Sequence, residues 1–132
     1  MSRTKRSSNI SFFCDIILFT IYYKFVLMIT VAQYIVNFLS KQGLEHCFMV
    51  PGGGAMFLNE GFRKNSKINV TPMHHEQACS MAAEGYSKLN NKPAIVSVTS
   101  GPGAINALNG VHGAYTDSVP MFIVSGQVKR ET

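Results

Sequence analysis

From Met28 onward the apolar positions follow two alternating rhythms. Val31, Tyr34, Ile35, Phe38 and Leu39 recur at helical spacing, the period of a helix with one buried face. Thr30-Val31-Ala32-Gln33 fits a capping box ahead of them, and Gly43 is placed to close the helix. Cys47-Phe48-Met49-Val50 is a short β-type run that ends in Pro51-Gly52-Gly53-Gly54. Ala55 to Phe62 predicts a short helix, with Gly61 weighing against it. Ile68 to Thr71 predicts a strand. His75 to Leu89 predicts a helix, because Ala78, Met81, Ala82, Tyr86 and Leu89 fall at i, i+3, i+4, i+8 and i+11. Asn90-Asn91-Lys92-Pro93 is a loop, and Ala94 to Thr99 is a β-branched strand buried on both faces. Ser100-Gly101-Pro102-Gly103 is a tight turn. Ala104 to Tyr115 is a helix whose Ala104, Ala107, Gly110 and Ala114 permit close packing on a sheet. Pro120 to Val124 is a last strand, left through Ser125-Gly126-Gln127.

Helices and strands in strict alternation with short connections predict an α/β fold: a parallel sheet with helices on both faces, a flavodoxin-like three-layer sandwich. A further helix and strand would normally complete such a sheet, so it is expected to be truncated at the C-terminus. The turns that leave the strands carry Gly52, Glu76, Gly101 and Gly126. They gather on one edge of the sheet, the carboxyl side, where open α/β sheets bind ligands.

The leader changes the picture of the domain. Residues 1–9 are basic and Ser-rich, and residues 10–29 are mostly apolar. Asp15 and Lys24 interrupt that apolar run and leave eight residues between them, against the ~20 of a membrane-spanning helix. No small-residue cleavage site follows. The preferred reading is an extension, residues 1–27, without a folded role, ahead of a working domain over 28–132. The leader also holds most of the charge: of a formal +5, Arg3, Lys5, Arg6 and Lys24 against Asp15 account for +3. The body has no basic stripe with interleaved aromatics, so nucleic-acid binding is not supported. With 46% hydrophobic and 14% charged residues, the composition is that of a globular chain. The cysteines, Cys14, Cys47 and Cys79, form neither CxxC nor a zinc spacing and read as reduced thiols in a cytoplasmic protein.

Candidate chemistry centres on Glu76, where a strand end becomes a helix start. One reading is a first-turn acid favoured by the helix dipole; the other is an acid aimed into the crevice. Gly101-Pro102-Gly103 with Asn106 matches only part of GxGxxG, since the third position is Asn, and dinucleotide binding is set aside. His74-His75-Glu76 is set aside as a metal site, because the second His of HExxH is missing.

Five blocks together are more specific. They are Phe48-Met49-Val50-Pro51-Gly52-Gly53; His75-Glu76-Gln77-Ala78 with Ala82-Ala83-Glu84-Gly85-Tyr86; Val98-Thr99-Ser100-Gly101-Pro102-Gly103-Ala104-Ile105-Asn106; Asp117-Ser118-Val119-Pro120-Met121; and Ser125-Gly126-Gln127-Val128. In order and spacing this set resembles the N-terminal pyrimidine-binding domain of thiamine-diphosphate enzymes, the acetolactate synthase group above all. The resemblance implies that Glu76 hydrogen-bonds N1′ of the cofactor's aminopyrimidine and shares a proton with it, so that the 4′ nitrogen can take the proton from the thiazolium C2. It implies that Val50, Pro51, Gly52, Thr99, Pro102 and Gly103 flank the pyrimidine, with Asn106 and Gln127 nearby. A Glu in a dry crevice is expected to have raised proton affinity, with the helix dipole opposing.

The resemblance also implies a 2-oxo acid substrate such as pyruvate. Mg²⁺ and the cofactor's diphosphate would sit on a separate C-terminal domain, supplied by a homo-oligomer or a full-length homologue. Val50 and Lys129 depart from the synthase pattern, which commonly has Tyr and Pro there; the departures bear on the product more than on the cofactor. A rival reading is a non-catalytic interaction domain that docks on a full-length homologue.

Overall fold

The computed structural model describes residues 28–128. The leader and Lys129-Arg130-Glu131-Thr132 lie outside the described residues. Helix α1 is Val31–Lys41, followed by strand β1, His46–Met49. A single 3₁₀ turn, Gly53–Ala55, precedes α2, Met56–Lys64. Then come β2 (Asn69–Pro72), α3 (Glu76–Asn90), β3 (Ala94–Val98), α4 (Pro102–Thr116) and β4 (Met121–Ser125).

Local chemistry accounts for the helix ends. Gly43 has φ +83°, where a Cβ is disfavoured. Its N–H reaches Ser40 O at 3.1 Å, and Leu44 N–H reaches Leu39 O at 3.2 Å. That pair is a Schellman closure, and Leu39 and Leu44 share one buried cluster as its apolar contact. Helix α3 ends on Asn91 at φ +56°, with its N–H on Ser87 O at 3.0 Å; Asn tolerates this left-handed region better than most residues.

All strand pairs are parallel, and the sheet order is β2-β1-β3-β4. Phe48 pairs with Thr71 on one side and Val96 on the other, and Val96 with Ile123. Strand period two splits the core between two faces. Cys47, Met49 and Ile95 pack with Val36, Leu39 and Phe62 from α1 and α2. Ala94, Val96 and Val98 pack with Cys79, Ala83 and Ala107 from α3 and α4. Every residue of β3 is buried, as its sequence predicts. The result is the three-layer α/β arrangement with the carboxyl ends of all four strands on one side.

Two expectations change. Gly61 does not weaken α2: a Cβ there would lie 3.2 Å from Val36 Cγ2 and 3.3 Å from Ala32 O, so the glycine lets α2 close on α1. Gly110 is spent on α3 rather than on the sheet; a Cβ there would run into Ser80 Oγ and lie 2.7 Å from Met81 N. Helices α3 and α4 run side by side in a fixed register, with Gly103 beside Glu76, Gly110 beside Ser80 and Gly113 beside Glu84. Lys88 bonds Glu84 at 2.7 Å and Asp117 at 2.6 Å at the far end. These pairs are exposed and contribute little stability.

Burial pushes the Cys47 thiol up to about 12, with the nearby Cys79 adding to it. Burial likewise raises Cys79 to about 11, with the Glu76 charge adding. Both are free thiols. Among the described residues, no helix is long and apolar enough to cross a membrane.

Gly110→Ala should destabilise the chain by about 1–3 kcal/mol, the usual cost of overpacking against backbone, read as a lower urea midpoint; an unchanged midpoint would contradict the close α3–α4 contact. Iodoacetamide at pH 8 should leave Cys47 and Cys79 unmodified in the native chain and label both after denaturation, because the thiolate is the reactive form; peptide mass mapping reads the outcome.

Candidate functional site

The site is assembled from three strand ends. At the end of β2, Met73 N–H bonds Met49 O at 2.8 Å, so the chain stays tied to β1 as it turns. His75 then caps α3: its backbone is extended and its Nδ1 accepts from Gln77 N–H at 3.2 Å. Glu76 is therefore the first helical residue. At the end of β3 the chain turns through Gly101 at φ +68°, a conformation that favours glycine. Pro102 opens α4, where its missing N–H costs nothing. Asn106 lies one turn further on.

Asn106 Nδ2 donates to Glu76 Oε2 at 3.1 Å. Gly103 is buried beneath the same carboxylate; a Cβ there would lie 3.0 Å from Glu76 Oε1 and 2.8 Å from Thr99 Cγ2. Thr99 connects this pair to the loop after β1. Its Oγ1 accepts from Gly54 N–H at 3.1 Å, and a Cβ on Gly52 would lie 2.5 Å from Thr99 Cβ. Gly52, Thr99, Gly103, Asn106 and Glu76 thus form one constellation at the strand ends.

The electrostatics decide a balance that the sequence leaves open between a dry crevice, which raises the value, and the helix dipole, which lowers it. The Asn106 hydrogen bond holds the Glu76 carboxyl below its ordinary value, with its own backbone amide and the charge of His75 acting the same way; burial opposes them. The side chain is only partly buried, so stabilisation of the anion by donors outweighs desolvation. With the folded value depressed, the stabilising contribution is present above the unfolded carboxylate value and is lost as pH falls through the folded one.

Other expected residues sit apart. Val50 is half-buried against the α3 side of the core, its N–H on Ser97 O at 3.3 Å. Pro51 is exposed and borders a cavity of about 320 Å³ with Met49, Phe62 and Pro72. Pro102 is exposed on the first turn of α4. Gln127 is exposed and lines a separate groove of about 260 Å³ between α1, α2 and β4. Glu76 lines neither cavity. Sequence reasoning named Gly126 only as a strand exit and missed Gly54 as an individual position. A Cβ on Gly54 would lie 2.5 Å from Ser100 Oγ, and one on Gly126 would run into Gly54 O. The available signal was glycine recurring shortly after β1, β3 and β4.

A parallel α/β domain with an acid and an amide joined above glycine turns at its strand ends belongs to the ligand-binding class of doubly wound folds. The family model for the thiamine pyrophosphate enzyme, N-terminal TPP binding domain, matches residues 29–132, and the chain belongs to that family. Its relatives include an acetolactate synthase large subunit of Buchnera aphidicola, 42% identical over 97 residues. The chloroplastic acetolactate synthase of Arabidopsis thaliana is 44% identical over 100 residues, and the isozyme 3 large subunit of Escherichia coli 37% over 101. These alignments cover 74%, 75% and 76% of this chain but only 17%, 15% and 18% of the relatives. The chain therefore spans about one sixth of their length.

Thr99→Val keeps the shape of the side chain and removes the acceptor for Gly54 N–H. It should cost about 0.5–1.5 kcal/mol and speed amide exchange at Gly54, measured by NMR; unchanged exchange there would deny that this bond holds the Gly52–Ala55 turn.

Proposed function

We propose that this chain supplies the aminopyrimidine side of a thiamine-diphosphate site in an acetolactate synthase-like 2-oxo acid carboligase or decarboxylase. The observation that carries the reading is the Glu76 carboxylate, held beside Gly103 by Asn106 at the strand ends. The residues present fit such a ring. An ionised carboxylate is an acceptor for a ring N–H. Gly52 and Gly103 let the backbone close on Thr99 and on the acid, where a Cβ would lie 2.5 Å from Thr99 Cβ and 3.0 Å from Glu76 Oε1 respectively.

When bound, the cofactor supplies the electron sink for cleavage next to the 2-oxo group. Glu76 holds a proton shared with the ring nitrogen N1′. Its value, held low by the Asn106 hydrogen bond, suits it to accept from a ring N–H. Asn106 keeps the carboxylate in place. The backbone of Val50-Pro51-Gly52 and of Thr99 to Gly103, including Pro102, would flank the ring; Gln127, which lines a separate groove, would stand further off. The proposed working domain is residues 28–132, in a cytoplasmic setting. Mg²⁺ and the diphosphate belong to a separate domain, contributed by another copy or by a full-length homologue; pyruvate is the proposed substrate.

The outer face of α4 supports a partner. The helix carries no charged residue, yet Ile105, Leu108 and Tyr115 are 66%, 58% and 82% exposed. The same face favours a second reading, an interaction domain that docks on a full-length homologue without touching the cofactor.

Titration calorimetry with thiamine diphosphate, with and without a full-length acetolactate synthase, separates the two. Cofactor heat that depends on the partner and is lost in Glu76→Gln supports the proposal; partner heat without any change in cofactor binding supports the second reading. The 132-residue polypeptide alone should turn over no pyruvate. In a full-length relative carrying the matching Glu→Gln change, C2 proton exchange should slow by on the order of 100-fold; an unchanged rate removes the acid from the mechanism.

A further inference from the structure

Among the described residues, Asn106 is the one side chain that bonds the Glu76 carboxylate. The contact depends on how close α3 and α4 lie. A Cβ on Gly110 would collide with α3 at Ser80 and Met81, and one on Gly103 would lie 3.0 Å from Glu76 Oε1, so a side chain as short as Asn spans the gap. Building on the functional reading above, we infer that Asn106 is a positioning residue for Glu76: it ties down Oε2 and leaves Oε1, beside Gly103, as the oxygen for a ligand.

An amide suits this task better than its alternatives. Its nitrogen donates to the ionised carboxylate without adding charge, so the acid keeps a net negative charge for a ligand N–H. Lys or Arg at the same place would neutralise the acid. Turned over, the same amide presents a carbonyl to the protonated acid, so it can follow a proton on and off Glu76. Leu or Ala can do neither. Asp can donate only after taking a proton of its own, and as an anion it repels Glu76. The titratable groups that act on Glu76 are His75, immediately before it, and Cys79, one turn along α3. Thr99 from the β3 end faces it across Gly103 and stays neutral. On the α4 side, Asn106 is thus the only polar control on the acid among the described residues.

The test is a pH titration of the Glu76 side-chain carboxyl by ¹³C NMR in the full 132-residue chain, without cofactor. In wild type the midpoint should lie below that of an ordinary Glu. Asn106→Leu should shift it upward, and Asn106→Asp should shift it further upward, because a second carboxylate then faces the first. Asn106 is exposed, and far-UV circular dichroism checks that each variant folds; if one does not, the other still decides. A Glu76 midpoint that stays at the wild-type value in either folded variant overturns the inference. The functional reading fails separately. If the midpoints move as expected but cofactor heats in the presence of a full-length partner are the same for wild type and Glu76→Gln, Asn106 still positions the acid, and the acid does not serve the cofactor.

Discussion

A carboxylate at the rim of a parallel sheet is easily solvated and easily misdirected. In this chain it is restrained because α3 and α4 approach within side-chain-free distance along one seam. Gly103 and Gly110 make that approach possible, and the Asn106–Glu76 hydrogen bond is its chemical consequence. The two helices belong to successive strand–helix units, so the bond joins parts of the chain that only the sheet brings together. Moving the seam outward by one methyl group would separate donor from acceptor.

The loops extend the same restraint. Thr99 is the shared neighbour: it accepts from Gly54, packs on Gly52 and limits Gly103. Gly126 lies under Gly54 in turn. Three strand ends therefore lock through glycine-to-neighbour contacts rather than through a large apolar core, which sits deeper in the sheet around β3. Next to Glu76 this leaves Gly103, the Thr99 side chain and the Asn106 amide. The acid is consequently both ordered and accessible, and donors rather than desolvation set its charge state. An ordered acceptor of that kind is what a proton-sharing role requires, and family membership gives the role its context.

The α4 helix connects site to surroundings. Its inner face supplies Gly103, Ala107, Gly110 and Ala114 to the packing. The flank towards α3 supplies Asn106 to the acid, and the outer face carries the exposed Ile105, Leu108 and Tyr115. The helix carries no charged residue, so that outer face is apolar as well as exposed.

The sequence by itself determined the element order, the parallel sheet and the place of Glu76 where a strand end becomes a helix start. Those features are local or periodic: β-branched runs, helical spacing, and Gly43 or Gly101 where positive φ is needed. It also carried the family resemblance, since five blocks in register hold more information than any one of them. Tertiary structure alone decided what the blocks do to one another. That Gly61 and Gly110 serve helix contacts, that Gln127 lines a groove without Glu76, and that Asn106 lowers the acid's proton affinity all depend on distances between segments far apart in the chain. Hydrophobic period specifies which face of an element is buried, but not which neighbour lies against it or how closely. For a carboxylate whose charge depends on one donor about 3 Å away, that spacing is the deciding quantity.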